Sequence, residues 1–220
     1  MPNRINFAPG EYYHVYNRGT EKRKTFMDRK DYERFMALLY LSNNNMPMHI
    51  SNHQGSTLPM LLELPRNDTL VDICAYTLMP NHFHLLLHGN IEGGISRFMQ
   101  KMTTGYTMYF NKKYERSGAL FQGKFKATHA TTDEYLKYLI SYIHLNPIKL
   151  IDPLWKDNGI TNKKKAKGFL NAYSYSSYQD YRGIKRIEKN IINATALPDY
   201  FHKPLSFEKN IEDWLSYKQM

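Results

Sequence analysis

Two histidines, His82 and His84, flank a single Phe83 within the run Asp72–His88. The run is rich in apolar and β-favouring residues and reads as extended chain. In a strand alternate side chains share a face and rise about 3.3 Å per residue. Both imidazoles therefore emerge on one face, about 6–7 Å apart at Cα, within range of one divalent ion. Phe83 points to the opposite face, and the leucines that follow anchor the strand. A metal-binding pair on a rigid sheet is a start for phosphoryl transfer. His88 shares the face but lies about 13 Å beyond His84, too far for the same ion. His14, on an earlier extended stretch, is a neighbour of the same kind. Spacing alone also fits hydrogen-bonded core histidines or solvent-facing ones.

A second group lies sixty residues on. Tyr142 and Asn146 are one helical turn apart and so face the same way. Tyr135, Tyr138 and Tyr142 also fall at helical spacing, which equally describes a packing stripe. A phenol, with an ordinary pKa near 10, attacks a phosphate only if it is positioned and the transferred charge is stabilised. An ion held by two imidazoles and the Asn146 oxygen would polarise that phosphate while Tyr142 attacks. Asn146, just before Pro147, reads equally as a helix cap.

Composition limits the partners. The 220 residues carry Lys+Arg 30 against Asp+Glu 20, a formal +10, with 18 Tyr and 11 Phe. Such a basic chain attracts polyanions, and tyrosines among Lys and Arg suit base stacking. One cysteine, Cys74, excludes an internal disulfide and a cysteine-based zinc cluster. The N-terminus lacks a signal-peptide core, and no apolar run approaches the ~20 residues of a membrane span. These features predict a cytoplasmic, nucleoid-associated protein that does not engage a membrane.

The elements that must position these groups follow from pattern. Tyr12 to Gly19 reads as a first strand ending in a turn. Asp28 caps a helix to about Leu41. Residues 43–67, rich in Asn, Pro and Gly, read as a long loop insertion with at most one short strand, in which His49 and His53 face solvent. Val71–Leu78 and His82–His88 form a pair of strands about Met79–Asn81. A helix spans about Ile95–Asn111, and Leu120–His129 is a further strand. Thr131 to Glu134 has the form of a capping box opening a helix that Pro147 stops. This order predicts an α+β, ferredoxin-like sandwich: a mostly antiparallel sheet with helices on one side. Residues 1–150 form the catalytic unit. Residues 151–220 form an appendage that packs on the core or contacts DNA, with a basic run at Lys163–Lys165 and an amphipathic stretch from Phe207 to Tyr217.

The ordered set of Leu78-Met-Pro-Asn-His-Phe-His-Leu-Leu-Leu, Phe121-Gln-Gly-Lys-Phe and Tyr142-Ile-His-Leu-Asn-Pro147 resembles the single-tyrosine HUH transposases, specifically the branch associated with REP elements. Tyr13 to Gly19 and Asp31 to Phe35 fit as well, so the resemblance covers roughly residues 10–150. It implies that His82 and His84 are metal ligands, that Asn146 is a third, polar ligand, and that Tyr142 is the nucleophile, with Tyr138 as the fallback. The implied reaction joins Tyr142 to a 5′-phosphate of single-stranded DNA and frees a 3′-hydroxyl; the reverse reaction rejoins strands. The implied metal is Mg2+ or Mn2+, of which two imidazoles suit manganese better. The implied partner is single-stranded DNA folded into REP-like hairpins, and a homodimer is a possible assembly. Arg18, Lys101, Lys124 and Lys126 are the expected DNA-backbone contacts. The alternatives are a non-catalytic single-strand binder of ferredoxin-like fold, which would stack bases on exposed aromatics, and a small-molecule metal hydrolase that does not need Tyr142.

Overall fold

The computed structural model describes residues 6–46, 53, 55–66, 68–201 and 204–216. His49 and Tyr217 lie outside them. Four strands make one sheet: β1 (Tyr12–Arg18), β2 (Val71–Met79), β3 (His82–Gly89) and β4 (Lys126–His129). Their order is β2-β3-β1-β4, and every pairing is antiparallel. Between them run α1 (Arg29–Leu41), α2 (Leu58–Leu62) and α3 (Gly94–Lys113). After β4 come α4 (Asp133–Leu145), α5 (Trp155–Asn158), α6 (Lys163–Ala172), α7 (Tyr178–Tyr181) and α8 (Pro204–Ser216). The expected α+β antiparallel sandwich is the observed one. None of the described helices is long and apolar enough to cross a membrane.

The helices do not keep to one side, which departs from the expectation. In β3, Leu85 and Leu87 join α1 and α3 in one core, whereas Leu86 faces α4 in a second. A β-bulge in β2 between Ile73 and Ala75 shifts its phase. Ile73 and Tyr76 thus serve the first core, and Cys74 and Ala75 the second. Central strands apolar on both faces need a layer on each. Leu136, Leu139, Ile140 and Ile143 of α4, backed by the chain after residue 151, supply the second layer.

The tail is therefore built into the sheet region. Ser177 N–H donates to the Tyr76 carbonyl (3.0 Å) and Leu78 N–H to the Tyr175 carbonyl (2.9 Å), covering the free edge of β2. Among its described residues the 43–67 segment contains the short helix α2 and no strand. Its start is fixed by Asn43, whose amide bonds both the Val71 carbonyl (2.8 Å) and the Val71 N–H (3.0 Å). His53 is half-buried rather than exposed. The strand expected from Leu120 is reduced to four residues, because Gly123, at φ 65°, turns the chain before it pairs fully with β1. Helix α4 is capped one residue later than the sequence pattern indicates. Thr132 accepts from Tyr135 N–H, so the reciprocal Glu134 arm of a capping box is lost.

Candidate active site

β1 and β3 lie side by side, pairing Arg18 with His82, Tyr16 with His84 and His14 with Leu86. Directly opposed residues share a face. His14, Tyr16, Arg18, His82 and His84 therefore all lie beneath α4. The His82 and His84 ring centroids are 5.1 Å apart. His14 and His84 are buried, and His14 Nε2 lies 2.8 Å from His84 Nδ1. His82 Nδ1 lies 2.6 Å from Asn81 Oδ1. The Asn81 amide is oriented by its own Nδ2, which donates to the Lys22 carbonyl at 3.1 Å. Its oxygen must then accept the His82 Nδ1 proton, which leaves the His82 Nε2 lone pair free. For His84, Nε2 is available to a ligand when Nδ1 carries the proton and donates to His14 Nε2.

These rings are held neutral. Burial, then the Lys156 charge, pushes His14 down to about 4. Burial, then Arg18, Lys149 and Lys156, does the same to His82, also to about 4. His84 is lowered well below its ordinary value, by burial and then by the two neighbouring imidazoles. Neutral imidazoles are the form that binds metal. Among the described residues no three His, Cys, Asp or Glu side chains are grouped to hold an ion. Two neutral imidazoles on one face of the sheet would suit a borderline divalent ion that keeps positions for phosphate oxygens or water.

Helix α4 brings the phenol to this face. Tyr142 meets the His84 ring at 5.6 Å and the His14 ring at 5.8 Å, edge-on, within one chain. Tyr138 instead meets Tyr135, Tyr142 and Trp214. Asn146 is buried at the end of α4, and its Nδ2 donates to the Tyr142 carbonyl at 2.8 Å. It thus caps the helix, as the plainer reading of its position expects, and that bond leaves its oxygen over. His88 turns to Asp72 (3.3 Å) and Tyr12, away from the site.

The four expected DNA contacts divide. Arg18 lies opposite His82, near enough to lower its pKa. Lys124 and Lys126 are exposed at the β4 end of the sheet. Lys101 lies on α3, across the sheet from Tyr142, and donates to the carbonyls of Asn44 (2.6 Å) and Met46 (3.4 Å). Two residues escaped the sequence reading. Lys156 of α5 donates to the Tyr142 hydroxyl oxygen at 2.9 Å and lies 4.0 Å from the centre of its ring. No local pattern marks it. Asn81 stood inside a quoted motif, but its role appears only with Lys22 in place.

The profile of the family described as "Transposase IS200 like" matches residues 10–146, more than half of the chain. Among solved structures, a REP-associated tyrosine transposase bound to a REP hairpin superposes with a TM-score of 0.51 at 13% identity, covering 86% of this chain and 89% of that one. It shares the fold. The tRNA(His) guanylyltransferase of Saccharomyces cerevisiae gives a TM-score of 0.38 at 13% identity, over 92% of this chain and 87% of that one. No curated protein sequence matches. The two histidines on β3, the α4 tyrosine beside them and the profile match over both lead to one assignment: the chain belongs to the IS200-like transposase family.

Proposed function

We propose that this transposase cuts and rejoins hairpin-bearing single-stranded DNA through Tyr142, with a divalent ion, Mn2+ or Mg2+, at His82 and His84 and the Asn146 oxygen as a further ligand. The observation that carries this reading is the contact of the Tyr142 ring with the His84 and His14 rings in one chain. Bound there, the ion would supply charge stabilisation to the scissile phosphate.

The chain's own groups do the rest. Tyr142 Oη attacks phosphorus and forms an O–P bond, the phenolic proton passing to solvent. The bond to the 3′ oxygen breaks, and that oxygen takes a proton to become a free 3′-hydroxyl. The 5′ end stays on the tyrosine. Lys156 places a positive charge beside the oxygen to which the phosphate must come. Asn81 holds His82 in the tautomer that offers Nε2, and His14 orients the His84 ring. Arg18, Lys124 and Lys126 lie where a strand entering over the β4 end of the sheet would pass. The hairpin partner is supported by the structural neighbour, which is bound to one.

The test is a denaturing gel of 3′-labelled hairpin DNA with single-stranded flanks, incubated with the protein and Mn2+. A labelled protein–DNA adduct is expected from the parent and from Tyr138→Phe, and none from Tyr142→Phe. An adduct that survives Tyr142→Phe removes the assigned nucleophile. Tight binding without any adduct, in either metal, favours the non-catalytic binder.

A further inference from the structure

Beside Tyr142 opens a cleft of about 360 Å³, at the small end of ligand sites. Attack on a phosphate does not require it. Tyr138 and Tyr142 of α4 form one wall, and Trp155, Lys156 and Trp214 from the tail complete it. Tyr138 stacks on Tyr142, with centroids 5.6 Å apart and planes 26° apart. Tyr138 and Trp214 lie 5.1 Å apart but inclined by 59°, so neither ring covers the whole face of the other. Among the described residues the only charged group on the lining is Lys156, and it sits at the Tyr142 end.

This lining has a polarity. Flat aromatic surface fills one part, and a cation marks the end where the phosphate must arrive. A nucleotide has the same polarity, a planar base joined to an anionic phosphate, and base–aromatic stacking tolerates any base. The volume suits a single nucleotide and not a duplex. We propose that the cleft receives one unpaired nucleobase of the strand being cut, stacked on Tyr138 and Trp214, with its phosphate between Lys156 and Tyr142. This rests on the reading of Tyr142 as nucleophile. It adds that the tail, outside the residues matched by the family, takes part in holding DNA.

The chain's two tryptophans both line this cleft, so intrinsic fluorescence reports on it. The full chain is titrated with a hairpin carrying single-stranded flanks, with the same oligonucleotide bearing one abasic site moved along the flank, and with a blunt hairpin. The flanked hairpin should quench and the blunt one should not. One abasic position, next to the scissile phosphate, should abolish most of the quench and weaken binding about five- to a hundredfold. Trp214→Ala should weaken binding of the intact strand by a similar factor and make the abasic change nearly silent. Trp214→Phe should restore most of the affinity, which separates lost stacking from a loosened α8. Losses from Trp214→Ala and the abasic site that simply multiply, or a quench no abasic position affects, overturn the proposal. So does equal quenching by a free nucleoside monophosphate. Full-rate adduct formation on every abasic strand sinks the cleft but leaves Tyr142 as nucleophile. A base-dependent quench without any adduct does the reverse.

Discussion

Lys156 reaches back from the tail to donate to the Tyr142 hydroxyl oxygen at 2.9 Å, so one group of the candidate site is supplied from outside the sheet and its crossing helix. A cation there opposes the charge of an incoming phosphate. Replacing it with Gln keeps length and a weaker donor but removes the charge. Lys156→Gln should slow single-turnover adduct formation about 10- to 100-fold, with a smaller effect on DNA affinity. Lys156→Arg should recover part of the rate. A rate equal to the parent's for the Gln variant would mean the contact is only packing.

The pairing of His14 Nε2 with His84 Nδ1 leads to a second expectation. His14 acts on metal binding through His84, by orienting its ring. Outer hydrogen-bond partners of this kind typically contribute 10- to 100-fold in metal affinity. His14→Ala should therefore weaken Mn2+ binding by about that factor in calorimetry, and Asn81→Ala should act similarly through His82. Unchanged affinity in both variants would place the ion elsewhere.

How much of this was legible in the sequence varied with how local its cause is. Helix α1 and its Asp28 cap, and β3 with His82 and His84 on one face, rest on short-range periodicity and appear nearly residue for residue. The second layer did not show in β2, because Cys74 and Ala75 both serve it through a bulge that no residue in β2 announces, whereas Leu86 of β3 faces it by ordinary alternation. Lys156 was hidden for a related reason. It lies in a four-residue helix whose approach to Tyr142 depends on how the tail folds back over α4. β4 was overestimated because Gly123 turns the chain midway through an otherwise strand-like run.

Asp31, within a stretch that resembles the family, has a structural part to play. Its carboxylate accepts from Met27 N–H (2.7 Å), Asp28 N–H (3.3 Å), the Tyr114 hydroxyl (2.8 Å), the Tyr109 hydroxyl (3.0 Å) and Lys113 Nζ (2.7 Å). The side chain is fully buried on the α1–α3 side, across the sheet from Tyr142. Asp31→Ala strips five donors of their acceptor and leaves Lys113 half-paired, with Asp28 alone. The variant should lose about 3 kcal/mol in urea unfolding. Folded protein should still form adduct at the parental rate, and a selective loss of activity in fully folded protein would contradict this placement.

His144 should make the fold sensitive to acid. The ring is fully buried in the second core. Nδ1 lies 2.8 Å from the Ile140 carbonyl, which can only accept, so that nitrogen carries the proton. Nε2, 2.8 Å from Ser177 Oγ, is then bare and accepts the serine hydroxyl proton, tying α4 to the tail. Burial, partly offset by the Ile140 carbonyl and assisted by the Arg186 charge, pushes this histidine down to about 3. In the unfolded chain it titrates near 6.5. Because the folded value is the lower one, the unfolded state binds the extra proton first as pH falls. The contribution is complete above about pH 6.5 and is lost progressively down to about pH 3, on the order of 5 kcal/mol in all. Buried His14 and His84 add slopes of the same sign, so the parent alone does not isolate His144. The difference between parent and His144→Gln does. In urea unfolding that difference should be widest above pH 6.5 and should shrink steadily on acidification. A gap that stays constant from pH 7 to pH 4 would show that the ring is already charged, or exposed, in the folded protein.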